Sequence, residues 1–356
     1  MKRVESGLKR TFLINLLICV IPVLTACRDR KSDTPTPPVP SANTFLNPLL
    51  NSGPDPWVVR HDGWYYYCHT VGNGVRLWKT RRISELAAAE NRLVWQPAAG
   101  EAFSRNVWAP ELHRLDGKWY LYVTAGSGDN STQRLWVLEN GSDDPLQGTW
   151  TMKGQLTPPE NRWAIDATVG EVAGQRYVVW SGWEGTTNVR QDLYIARLAN
   201  PWTIDGPRVR IALPEYEWEK VGDPDVNEGP EFLQKGGKTF LIYSASGCWT
   251  DDYALGMLSL RAGADPMDAR SWQKAAQPVF SKAPESRAFG PGHGGFFSSP
   301  DGTEDWMIYH ANPMPGQGCN DTRSPRIQKI SWTTDGVPQF GRPAPVLERL
   351  ARPGGE

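Results

Sequence analysis

From Asn47 onward, short apolar runs rich in aromatic and β-branched residues alternate with clusters of Gly, Pro, Asn and Asp. That alternation predicts strands and tight turns. It also repeats. A polar or acidic residue opens a strand, a Gly-centred turn follows, and a second strand ends in aromatics. The first such segment is Asp55-Pro-Trp-Val-Val, His61-Asp-Gly, Trp64-Tyr-Tyr-Tyr-Cys, and then Val75-Arg-Leu-Trp-Lys. Equivalent segments begin at Glu111, Asp166, Glu228 and His293. The period is roughly 55 to 65 residues, the mark of a repeat architecture. Each unit supplies three clear strands and a fainter fourth. Helical periodicity is weak and confined to Ile83 to Glu90, where a short helix or turn is expected in a connection. The pattern predicts an all-β fold, a five-bladed β-propeller in which stacked blades bury faces that one blade alone leaves open.

In such a ring the first strand of each blade lines a central channel. The residues opening those strands, Asp55, Glu111, Asp166, Glu228 and His293, should then meet at one mouth. Gathering Asp55, Asp166 and Glu228 there is a chemical arrangement rather than a stabilising one. Like charges brought together cost energy unless a proton, cation or substrate resolves the conflict. Glu228 stands in Asn227-Glu-Gly-Pro-Glu-Phe, where the Gly-Pro pair excludes a helix interior. Glu231 competes for its role, but three residues further along a strand it should face the opposite side.

The rest of the sequence narrows the picture. Formal net charge is -1, which gives no reason to expect a nucleic-acid partner. Seventeen tryptophans suit pleated cores, and also suit stacking on the C–H face of a sugar. Residues 1–26 resemble an export signal. Lys2, Arg3, Lys9 and Arg10 precede an apolar run from Thr11 to Leu24, too short to span a bilayer comfortably. Leu24-Thr-Ala-Cys27 resembles a lipoprotein cleavage site, with lipid on Cys27; an ordinary secretory signal is the alternative. Residues 27–43 form a Pro/Ser/Thr-rich tether, and residues 44–350 the catalytic domain. The membrane is then met through a lipid anchor only, at the outer membrane or cell surface, or else the chain is periplasmic. Of the five cysteines, Cys19 leaves with the signal. Cys248 and Cys319 each follow a Gly in a loop after a second strand, and are the expected disulfide pair.

Gly53-Pro-Asp-Pro-Trp, Val107-Trp-Ala-Pro-Glu, Ile165-Asp-Ala, Asn227-Glu-Gly-Pro-Glu and Gly290-Pro-Gly-His-Gly-Gly-Phe together resemble glycoside hydrolase family 43. These are five-bladed propeller enzymes acting on arabinose- and xylose-containing polysaccharides. The resemblance runs from about Asn47 to Leu347. It implies that Asp55 is the general base, Glu228 the general acid, and Asp166 the residue that tunes and orients the acid. Inversion needs the two working carboxyls about 6.5–9.5 Å apart, with room for a water. The resemblance further implies an α-L-arabinofuranosidase on arabinan or arabinoxylan, with Ser244-Ala-Ser-Gly-Cys-Trp-Thr-Asp-Asp-Tyr favouring arabinose. A β-xylosidase and a non-catalytic glycan-binding propeller are the alternatives. Glu111 is expected either to contact sugar hydroxyls or to hold a nearby amide, and Trp108 to wall the pocket. His293 is expected in the pocket, with a structural calcium ion near it as an open option, or as a core histidine. Arg323 and Arg326 are candidates for anchoring sugar or balancing the carboxylates. No cofactor is required for the chemistry, and a monomer is expected. Gly-Gly follows His293 where many relatives carry Asn-Ser or Asn-Gly.

Overall fold

The computed structural model describes residues 43–356. The signal segment 1–26, Cys27 and the tether through residue 42 lie outside the described residues. Among the described residues helix is confined to short 3-10 turns, one of them Ile83–Ala88, and no helix is long and apolar enough to cross a membrane.

The strands fall into five consecutive antiparallel runs, the third and fourth joined into one eight-stranded sheet by a short parallel pairing of Arg190 and Gln191 with Asp225 and Val226. The first is Trp57–His61, Trp64–Cys68, Val75–Thr80 and Glu90–Trp95. The second is Arg105–Leu115, Lys118–Gly126, Arg134–Asn140 and Thr151–Leu156. The third is Ala164–Val172, Gln175–Gly182, Arg190–Asn200 and Thr203–Ala212. The fourth is Asp225–Lys235, Lys238–Ala245, Ala254–Leu260 and Trp272–Lys274. The fifth has three strands, Phe289–Ser298, Asp305–Asn312 and Ser324–Lys329. Thr44–Phe45 pairs with Leu350–Ala351, so the two ends of the domain are clasped.

The apolar side chains are buried between units, not within them. Tyr66, Val75 and Leu77 of unit one pack on Leu112, Trp119 and Leu121 of unit two. Similar cores join units two and three, three and four, and four and five. The last returns to the start: Phe297, Trp306, Ile308 and Ile327 of unit five pack on Val58, Tyr65 and Tyr67 of unit one. Many tryptophans are spent in these cores, with Trp119 and Trp180 fully buried.

The first strand of units two to five carries a bulge near its start. Two residues of it oppose one of the neighbouring strand: between Trp108 and Glu111, Ile165 and Thr168, Glu228 and Glu231, and Gly292 and Gly295. At each bulge one residue takes positive φ: Ala109 (41°), Asp166 (58°), Gly229 (51°) and His293 (40°). Asp55 (55°) holds the same place in unit one. This corrects two expectations. The five opening residues do not share one repeat position, because Glu228 stands one residue before its unit's left-handed position and Glu111 two after. Glu231 does not face away from Glu228 either. Glu228 lies opposite Ser244 and Glu231 opposite Ile242, two positions apart on one strand and therefore on one face. The extra residue of the bulge resets the alternation that simple counting assumes.

Each left-handed residue donates its amide to the preceding unit. Asp55 N–H reaches His310 Nδ1 (3.0 Å) and Ala109 N–H reaches Thr70 Oγ1 (2.7 Å). Asp166 N–H reaches Thr124 Oγ1 (3.0 Å) and His293 N–H reaches Ser244 Oγ (2.8 Å). In unit three the matching side chain would be Ser181, but its hydroxyl donates to Asn227 O (2.8 Å). Gly229 N–H instead finds Asp166 Oδ2 (3.1 Å). The exception in the series is where one candidate catalytic residue meets the strand carrying another.

Candidate active site

These strand openings surround a cavity of about 950 Å³ lined by Asp55, Asp166, Glu228, His293, Trp108 and Arg323 among others. Asp55 is held on three sides. Arg323 Nη1 donates to Oδ1 at 2.8 Å, Thr70 Oγ1 donates to Oδ2 at 2.7 Å, and His293 Nδ1 lies 3.5 Å from Oδ1. Burial alone would raise its pKa. The Arg323 guanidinium above all, with the Thr70 hydroxyl, overcomes that and holds the carboxyl well below the usual range. His310 accepts the Asp55 amide at Nδ1, so its proton is on Nε2; burial keeps this ring neutral.

Glu228 has the opposite environment. It is buried, with Tyr253 O–H donating to Oε1 at 2.8 Å. Burial raises its pKa to about 7, with the charge of Asp55 adding to the effect and the Tyr253 hydrogen bond and Arg323 opposing it. Asp166 is also pushed well above the carboxylate range, by burial and then by Glu228 and Asp55, against the Gly229 amide. Asp166 and Glu228 therefore titrate as a pair that keeps a proton. One pocket thus contains a carboxylate that stays ionised and a carboxyl that keeps its proton through the mildly acidic range, up to about 7.

Trp108 lines the cavity and packs against Trp163, Ile165 and Trp183. Trp163 and Trp183 stack at 4.8 Å with planes 10° apart, and Trp163 Nε1–H donates to Asn130 O (2.7 Å). Cys248 and Cys319, joined in a disulfide, also line the cavity. Two expected site residues lie elsewhere. Glu111 is two positions down its strand, buried, with Oε2 at 2.8 Å from His113 Nε2, away from the cavity wall. Arg326 sits inside a strand opposite Tyr309, fully buried, and donates to Arg287 O (2.8 Å) and to Ala311 O. Arg323, in the preceding loop, is free to reach the pocket.

Several working residues escaped the sequence reading. Thr70 and His310 sit at ends of second strands, where no charge marks them. Tyr253 ends the Ser244 to Tyr253 segment and carried a signal in that segment's resemblance. Asp166, Glu228 and His293 place possible ligand atoms within 4.8 Å of one another. Two carboxyls and one imidazole are a poor set for calcium, which takes six to eight oxygens. Asp166 and Glu228 are moreover already committed to the Gly229 amide and the Tyr253 hydroxyl. These residues do not fit a resident calcium ion.

Residues 45–338 match the family model for glycosyl hydrolases family 43. An extracellular exo-α-(1→5)-L-arabinofuranosidase of Streptomyces avermitilis is 40% identical over 94% of this chain and 71% of its own length. α-L-Arabinofuranosidase 43 of Humicola insolens is 40% identical over 86% of this chain, which spans 65% of that relative. Among solved structures, an α-L-arabinofuranosidase from Lactobacillus brevis superposes with a TM-score of 0.80 at 36% identity, covering 85% of this chain and 98% of its own.

Proposed function

The chain belongs to glycosyl hydrolases family 43, and on that premise we propose that it is an inverting α-L-arabinofuranosidase. It removes terminal L-arabinofuranose from arabinan or from the side chains of arabinoxylan. The observation that carries this reading is the opposed environment of Asp55 and Glu228 in one cavity. Asp55, ionised and fixed by Arg323 and Thr70, takes a proton from a water as its oxygen attacks the anomeric carbon. Glu228 gives its proton to the glycosidic oxygen as that bond breaks. Asp166, beside Glu228 and clamped by the Gly229 amide, keeps the acid protonated and oriented. The bond to the leaving sugar is exchanged for a bond to water oxygen on the opposite face, so the product anomer is inverted. Trp108, backed by Trp163, walls the sugar. The relatives at 38–40% identity are named for arabinose, which supports that sugar over xylose.

The five units, whose inner strands hydrogen-bond in series and whose cores run from each unit to the next and back to the first, support a five-bladed propeller. Two relatives are named extracellular, and a disulfide suits an oxidising compartment. Export, with an anchor at Cys27 and a tether behind it, follows as part of this reading.

The test is hydrolysis of 4-nitrophenyl α-L-arabinofuranoside beside the β-D-xyloside, with the anomer of the first-formed sugar followed by NMR. The arabinoside should be cleaved far faster, giving the β-anomer first. A preference for the xyloside, or retention of configuration, would sink the proposal. Glu228→Gln should lower kcat/KM by about 10²–10⁴ on substrates whose leaving group needs a proton, and by much less on a dinitrophenyl glycoside. Asp55→Asn should damage both equally.

A further inference from the structure

Trp249 is 43% exposed, yet its loop is closely packed and covalently tied. Three features fix it. Its ring lies so close over Gly247 that a Cβ there would stand 2.2 Å from Trp249 Cε2. A Cβ on Gly222 would stand 2.9 Å from Trp249 Nε1. The residue before it, Cys248, is covalently tied to Cys319 on the loop that carries Arg323. Two side-chain-free positions thus make room for one indole, and a disulfide pins the backbone beside it. The ring is nevertheless left partly bare and lines the same cavity as Asp55 and Glu228. Trp163 and Trp183, by contrast, are almost wholly buried against each other.

The side of the reaction that Trp249 serves follows from the chemistry. The general acid must lie beside the oxygen that leaves, so the departing sugar is bound on the Glu228 side. Trp249 belongs to the short loop that ends at Tyr253, the residue hydrogen-bonded to Glu228. The loop that carries Arg323 reaches Asp55 and is joined to the Trp249 loop by the disulfide, so the two loops meet at the cavity.

We propose that the bare face of Trp249 is the platform for the leaving-group sugar, an arabinofuranosyl residue whose apolar C–H face stacks on the indole, and that the Cys248–Cys319 disulfide sets the height of that platform. This deepens the arabinofuranosidase reading and rests on it. The terminal sugar is gripped by the carboxylates and Arg323, and the next sugar along the polymer by Trp249. A rigid, partly exposed aromatic loses little conformational freedom on contact, which is why such residues are effective anchors.

The test compares the native enzyme with W249A and W249F on two substrates. Methyl α-L-arabinofuranoside has no second sugar; α-1,5-linked arabinobiose does. For W249A, kcat/KM on arabinobiose should fall about tenfold further than on the methyl glycoside, mainly through KM, with W249F recovering most of the difference. Equal losses on both substrates would mean that Trp249 only supports the loop, and would overturn the platform; so would no loss on arabinobiose. Native enzyme that cleaves the methyl glycoside but not arabinobiose overturns the arabinofuranosyl assignment. Native enzyme that cleaves neither overturns the underlying functional reading. If W249A does not fold, W249L takes its place in the comparison, with W249F again recovering most of the difference.

Discussion

At the scale of single residues, two similar side chains of one cavity have been given dissimilar surroundings. Asp55 and Glu228 are both buried, so burial raises the pKa of each. What separates them is the company each keeps. Asp55 has a guanidinium at 2.8 Å, whereas Glu228 has a neutral phenol at 2.8 Å. The pH dependence follows. In the proposed roles the base must be ionised and the acid protonated, so activity should fall as pH rises through about 7, when Glu228 gives up its proton. On the acid side it falls only below the usual carboxylate range, when Asp55 gains one. Arg323 lowers the pKa of both groups. For Arg323→Ala, both limbs of the kcat/KM profile should therefore move to higher pH. A profile whose limbs stay in place would show that the guanidinium does not set these ionisations. Sequence exposes charge well: Asp55, Asp166 and Glu228 stand out because acids opening apolar strands are conspicuous. It exposes uncharged partners poorly, since Thr70 and His310 look like any residue at a strand end.

At the scale of elements, the bulge is the unit of construction. It puts a left-handed residue at each strand opening and turns that residue's amide toward the neighbouring unit. Thr70 shows how tightly construction and chemistry are joined. Its hydroxyl oxygen accepts the Ala109 amide and its proton goes to Asp55. Thr70→Val should cost about 1–3 kcal/mol of stability by leaving the buried Ala109 amide unpaired. The variant should also lose activity, while Thr70→Ser should restore both. Denaturant unfolding alongside kcat/KM measures the two effects, and a Val variant as stable as the native protein would refute the link. The strand pattern was legible from alternation and turn residues. The bulges were not. A bulge leaves no gap in the sequence, and only Gly229 among the left-handed positions of the four bulges is a glycine. Counting in twos past Gly229 therefore put Glu231 on the wrong face, and an eye for acids put Glu111 in a pocket whose repeat position is held by Ala109.

At the scale of the whole molecule, the period of the pattern was enough to foresee repeated antiparallel hairpins, because each repeat carries its own turn and aromatic strand. What the period could not convey was which arginine reaches the pocket. Arg323 and Arg326 differ by three positions, but one lies in a loop and the other in a strand, fully buried between units. The expected anchor belongs to this scale too, because it fixes where the whole domain works. Changing Cys27→Ser should move the protein from the membrane fraction to the soluble fraction of the cell without altering its turnover of aryl arabinofuranoside. Membrane association that survived the change would rule out lipid on that sulfur.

The core between units five and one brings Tyr65 against Phe297, and the Tyr65 hydroxyl donates to Ser298 O across 233 residues of chain. Contacts so distant in sequence form late and slowly, since a long loop must close before they stabilise anything. Nor can any earlier part of the chain stand in for them, because every unit's apolar faces belong half to its neighbours. Asp55 takes its place only when His310 and Arg323 arrive to hold it. A chain that ends before Arg323 should therefore show no hydrolysis. Asp55, the first of the three acids to be made, is on this reading among the last to be held in place, when the final strands close.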